Sequence, residues 1–241
     1  MPAKRGKKPP QLRIQDACEA GDIEAVVAEM LANRSIAGVQ LQGCWALASL
    51  SVSNGENKVA IAGAGGIEAV LAAMRAHGSI AGVQEKGCHA LANLAATQEN
   101  KVAIARAGGI EAVVAGMGAH TSIAGVQQRG CRALVNLAVT HENKLAIARA
   151  GGIEAVVAAM RAHGSIAGVQ DKGCWALANL AQIQENSVAI ARAGGIEAVV
   201  AGMGHTGRSL TCRGRAAGRL RTLQGRRRTR RRLRGQGVLW R

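Results

Sequence analysis

Residues 100–138 read NKVAIARAGGIEAVVAGMGAHTSIAGVQQRGCRALVNLA, and residues 143–181 read NKLAIARAGGIEAVVAAMRAHGSIAGVQDKGCWALANLA. The same landmarks return along the chain: Glu24, Glu68, Glu111, Glu154 and Glu197, then Cys44, Cys88, Cys131 and Cys174, spaced by 44 once and by 43 thereafter. A period of that length marks a stacked-repeat protein, whose supersecondary unit recurs because one copy cannot bury its apolar face alone. Within a period the apolar spacing is helical and glycines punctuate it. A short first helix over 101–107 stops at Gly108-Gly109, where a glycine free to adopt positive φ turns the chain. A second helix over 110–117 places Ile110, Val113, Val114 and Met117 on one face, and a third over 125–138 turns Val126, Cys131, Leu134 and Leu137 inward.

Read as a pattern, NK-x-AI-x-x-AGGI-x-AV-x-x-M followed by VQ-x-x-GC-x-AL-x-NL resembles the armadillo repeat, as found in importin-α, β-catenin and vacuolar-protein-8-type solenoids. The resemblance covers Asp16 to Gly204. It implies an all-α, right-handed superhelical solenoid of three-helix units, four complete and a fifth that has only its first two helices. Third helices are expected at 38–50, 82–95, 125–138 and 168–181, lining a concave groove that holds extended peptides.

In importin-α-type members a Trp and an Asn four residues on stand in that groove, the amide bonding the peptide backbone and the indole walling its side chains. Trp175 and Asn179 match that pattern, and their equivalents are Trp45 with Ser49, His89 with Asn93, and Arg132 with Asn136. Positions i and i+4 share a helix face, and Trp175 with Asn179 lies off the stripe made by Cys174, Leu177 and Leu180. One turn earlier stand Leu41, Glu85, Gln128 and Asp171, a mixed set without the acidic concentration that favours basic peptides. The competing reading is that the Asn side chains bond within the solenoid and Trp175 covers a neighbouring unit.

The chain has 241 residues, is 48% hydrophobic, has no Phe or Tyr, and carries a formal charge of +16. Any core is therefore assembled from Ala, Val, Ile, Leu and Met, side chains small enough for close helix packing. The charge sits at the ends. Residues 1–15 hold five basic residues and 205–241 hold thirteen arginines and no acid, leaving 13 basic residues against all 15 acids over 16–204. Residues 1–15 are expected to be a disordered basic N-terminus, with KRGKK as a candidate nuclear import signal on an otherwise cytoplasmic protein. No run of 18 apolar residues occurs, so no membrane span is expected.

The tail LRTLQGRRRTRRRLRGQGVLWR, 220–241, has the look of a nucleic-acid arm, yet the fifth repeat still owes its third helix. Codons can be chosen for Ala216 to Trp240 that, read one nucleotide back, spell GCRALANLAGATQNKAAIARAGGIV, which is that helix and the start of a sixth unit. The tail, 205–241, is accordingly read as a disordered Arg-rich stretch produced by a one-nucleotide frame slip between Gly204 and about Ser209. An end left uncapped at Ile196, Val199, Val200 and Met203 is expected to self-associate.

Other chemistry is thinly represented. The glycine runs of 62–66 and its equivalents resemble phosphate loops, but no strand precedes them and they recur in every unit, as helix turns would. Cys44, Cys88, Cys131 and Cys174, one per repeat, stack too far apart for a disulfide or a shared metal. His77, His120 and His163, one per connection, are expected to face solvent. No catalytic residue set, cofactor or metal site is expected. The leading function is a non-catalytic protein–protein interaction scaffold. The alternatives are nucleic-acid or polyanion binding through the basic ends, and a piece of a larger kinase or ubiquitin ligase.

Overall fold

The computed structural model describes residues 8–52 and 55–205, the side chains of 203–205 excepted. Among the described residues there are fourteen α-helices and no strand. They run in triplets: α1 (Pro10–Ala20), α2 (Ile23–Ala32) and α3 (Ala37–Leu50); α4 (Gly55–Gly63), α5 (Gly66–Ala76) and α6 (Ala81–Leu94); α7 (Gln98–Arg106), α8 (Gly109–Ala119) and α9 (Ala124–Leu137). The second half continues with α10 (His141–Arg149), α11 (Gly152–Ala162) and α12 (Ala167–Leu180), then α13 (Gln184–Arg192) and α14 (Gly195–His205). The fold is an all-α solenoid with four three-helix units and a two-helix fifth. It divides between Leu137 and Ala138 into two compact units, α1–α9 and α10–α14.

Two glycine positions explain how each triplet closes. At Gly108 φ is 79°, a conformation that costs an L side chain 1–2 kcal/mol and glycine nothing. Its neighbour Gly109 starts α8 in contact with Ile104, where a Cβ would lie only 2.8 Å from the Ile104 carbonyl oxygen. On the third helix, Gly130 of α9 admits Met117 of α8, whose Cγ and Sδ occupy the space a Cβ would need, and Gly43, Gly87 and Gly173 receive Met30, Met74 and Met160 in the same way. The G of the VQ-x-x-GC stretch is thus the socket for the second helix's methionine.

The buried glutamine of that stretch closes the other end of the second helix. Gln127 Nε2 donates to the carbonyls of Met117 and His120, both at 2.9 Å, satisfying acceptors that a helix terminus leaves unpaired. Gln40, Gln84 and Gln170 repeat the arrangement, the last at 2.7 and 3.0 Å from Met160 and His163 oxygens. Each glutamine side chain is almost fully buried, so its hydrogen bonds are formed in a dry, low-dielectric setting.

Polar residues at fixed repeat positions then tie one triplet to the next. Asn100 Nδ2 donates to the Lys58 oxygen at 3.0 Å, and Asn186 to the Lys144 oxygen at 3.1 Å. His77 and His120, expected to face solvent, instead place Nε2 2.8 Å from the carbonyls of Arg34 and Gly78 in the preceding connection. A carbonyl only accepts, so Nε2 carries the proton there.

Two expectations need correction. Residues 10–15, assigned to a disordered N-terminus, form the first half of α1. Proline is tolerated at a first helical position, and Ile14 and Ala17 are buried against the rest of the first triplet. Lys8 to Asp16 at 2.6 Å and Arg13 to Glu29 at 3.1 Å fasten it further. At the other end, Ile196 and Val199 are buried, with α14 packed on α11 and α12, and Val200 is exposed. Cys44, Cys88 and Cys131 are free and buried, with burial pushing each thiol up to about 12, and the disulfide of Cys174 is with none of these three. The stretch 206–241, with its frame reading, and residues 1–7 lie outside the described residues.

Candidate functional site

The third helices α3, α6 and α9 pack side by side in the first unit. Their inward stripe is apolar and fully buried: Val39, Cys44 and Leu47, then Val83, Cys88 and Leu91, then Val126, Cys131 and Leu134. The outward stripe carries the residues singled out in the sequence, three and four positions apart on each helix. Trp45 is 43% exposed and Ser49 is exposed; His89, Arg132 and Asn136 are half-buried. A platform of rigid helices thus presents one large or charged side chain per repeat.

Two of the asparagines spend a side-chain N–H on the solenoid itself. Asn93 is 5% exposed and its Nδ2 donates at 2.9 Å to the carbonyl of Ala48 on the preceding third helix. Asn136 repeats this with Ala92 at 2.7 Å while staying half-exposed. Asn93 and Asn136 therefore tie neighbouring third helices together in the first unit.

Charge on the platform is uneven. Lys86 and Glu85 pair at 2.9 Å on α6, and the Glu85 carboxylate also lies against Gly125 in the first turn of α9, where backbone N–H groups favour an anion. Arg129 and Arg132, an i, i+3 pair on α9, have neither a hydrogen bond nor an ion pair among the described residues. Burial and then Arg129 push Arg132 downward, but a guanidinium stays charged at neutral pH. Beside them, His89 is driven down to about 4, first by burial and then by Arg129, Arg132 and Lys86, with Glu85 opposing. His89 is consequently neutral at pH 7.

The position three residues before each Trp, His or Arg was not weighed in the sequence. It holds Gln42, Lys86, Arg129 and Lys172, and the signal that finds it is its i−3 spacing from the groove positions. Next to Trp45, residues Leu41 and Gln42 of α3 and Gln15, Cys18 and Glu19 of α1 enclose an open hollow of about 430 Å³. In the second unit, Lys172 Nζ stands 5.3 Å from the centroid of the half-buried Trp175 ring and pairs with Asp171 at 2.8 Å. Asn179 is half-buried on the same face of α12.

Stacked three-helix units with this platform define a class, the α-solenoid of helical repeats. No family model and no curated protein matches the chain. Solved structures do. An engineered protein from the Northeast Structural Genomics Consortium is 30% identical, covering 90% of this chain and 85% of its own with a TM-score of 0.70. A designed armadillo repeat protein in complex with the peptide (KR)4 is 21% identical, covering 86% of this chain and 84% of its own at 0.69. Another designed armadillo repeat protein is 20% identical, covering 87% and 85% at 0.71. The chain therefore has an armadillo-like repeat fold.

Proposed function

We propose that this chain is a non-catalytic interaction scaffold whose third helices form a concave groove for an extended segment of another protein. The observation that carries the reading is Trp45, an indole 43% exposed on a rigid helix beside an open hollow of about 430 Å³. Leaving such a side chain in water forgoes its burial energy, and exposed aromatics flanked by a pocket are the usual anchors of binding surfaces. The peptide held by a designed armadillo relative supports the same use of the fold. Near-identical units add a physical reason: similar subsites repeated along one helix row let individually weak contacts sum on one linear ligand.

Selection of random 12-residue peptides on the full chain tests this. Peptides that bind wild type are expected to lose about tenfold or more in affinity on Trp45→Ala, or on Trp175→Ala with Asn179→Ala, since a central aromatic contact contributes about 2 kcal/mol or more. Enriched peptides indifferent to all of these substitutions overturn the groove.

A further inference from the structure

The geometry points to an acidic partner: the groove along α3, α6 and α9 takes an extended segment carrying Asp or Glu side chains onto Arg129 and Arg132, with an apolar side chain seated against Trp45. This rests on the groove reading above and adds its charge. Three observations lead to it.

The first is the pairing of the charges. Glu85 is already paired with Lys86 at 2.9 Å, and its carboxylate packs close to Gly125 at the start of α9. The two guanidiniums of α9 are half-buried with no carboxylate beside them among the described residues. Two cations held one helical turn apart on a partly desolvated surface repel each other, and a planar carboxylate matched to either fork relieves that repulsion with charge-assisted hydrogen bonds. The second is His89, kept neutral on the facing helix by its burial and then by those same cations. It offers a ring N–H to an arriving carboxylate without adding a third charge to the empty site.

The third is spacing. Neighbouring third helices pack about 8–10 Å apart, so α3 to α9 is roughly 20 Å, the reach of about six extended residues. A peptide whose apolar residue sits in the hollow by Trp45 therefore delivers its acids to α9 about six positions along. A nucleic acid fits less well, because its continuous phosphates would run over Glu85 on the way.

The test uses the full chain and fluorescent 12-residue peptides of one sequence, with a Leu and, six positions along, a pair of variable residues: Asp/Glu, Asn/Gln or Lys. Anisotropy is expected to show the acidic version binding at least about tenfold tighter than the amide version, as a charge-assisted pair requires. Arg129→Gln with Arg132→Gln should remove that difference, and Arg129→Lys with Arg132→Lys should retain part of it. Equal affinity for acidic and amide versions overturns the inference, as does tighter binding of the Lys version. An acidic peptide unaffected by the Gln substitutions is held by the basic ends of the chain, which also overturns it. So does an oligothymidylate that binds more tightly than the acidic peptide through the same arginines. If Trp45→Ala weakens the amide version while the Arg variants do nothing, the groove stands and only its charge was misread. If no variant changes any affinity, both fall.

Discussion

His89 sets the electrostatic character of the platform and gives its most direct pH signature. Its value lies below the ordinary 6.5, at about 4, because the ring is part-buried and faces Arg129, Arg132 and Lys86, with only Glu85 pulling the other way. Between those two pH values the unfolded chain binds a proton that the folded chain refuses. Stability linked to His89 is therefore complete above about pH 6.5 and falls as the pH drops towards 4. Denaturant midpoints of wild type and His89→Asn should converge as the pH is lowered from 7 to 4.5; parallel curves would show that His89 titrates normally. Other roles at this scale were only partly legible in the sequence. The i, i+4 spacing put Asn93 and Asn136 on the right face, but depth depends on how closely the preceding third helix approaches, and that approach turns Asn93 inward onto Ala48. Arg129 and Lys86 escaped notice because one charged residue per repeat reads first as a solvated face.

The helices themselves were legible because every repeat restates the same periodicity, and their ends moved by only a few residues. What spacing alone did not disclose is why particular residues recur. Gly130 would be read as a defect in a helix, since glycine costs about 1 kcal/mol there relative to alanine. Its neighbour Met117 reverses that expectation. Gly130→Ala should destabilise by about 1–3 kcal/mol through overpacking against Met117, rather than stabilise by improving helix propensity. A raised denaturation midpoint in the variant would contradict the socket. The same logic separates α1 from a basic tail: charge composition over 1–15 suggested disorder, but Ile14 had a buried place waiting for it against the first triplet. Composition averages over a window, and a single anchored side chain can outweigh it.

At the scale of the whole molecule, repetition supplies the fold and the outward row on which the proposed function rests. Buried glutamines close α2, α5, α8 and α11, asparagines and histidines tie successive triplets within each unit, and the same rows leave one large or charged side chain per third helix facing outward. The fold class could be read from the period together with the helical spacing inside it, whereas the partner depends on the few outward positions where the repeats differ: Trp45, His89 and Arg132 in one row, Gln42, Lys86 and Arg129 in the next. The scaffold reading stands or falls on whether a ligand lies on that surface. The most direct measurement is the indole N–H resonance of Trp45 in 15N-labelled full chain, recorded during titration with the acidic peptide. A saturable shift with the same midpoint as the anisotropy, its midpoint moved at least about tenfold higher in Arg129→Gln with Arg132→Gln, is the expected result. Tight binding that leaves the Trp45 indole unmoved would contradict the account.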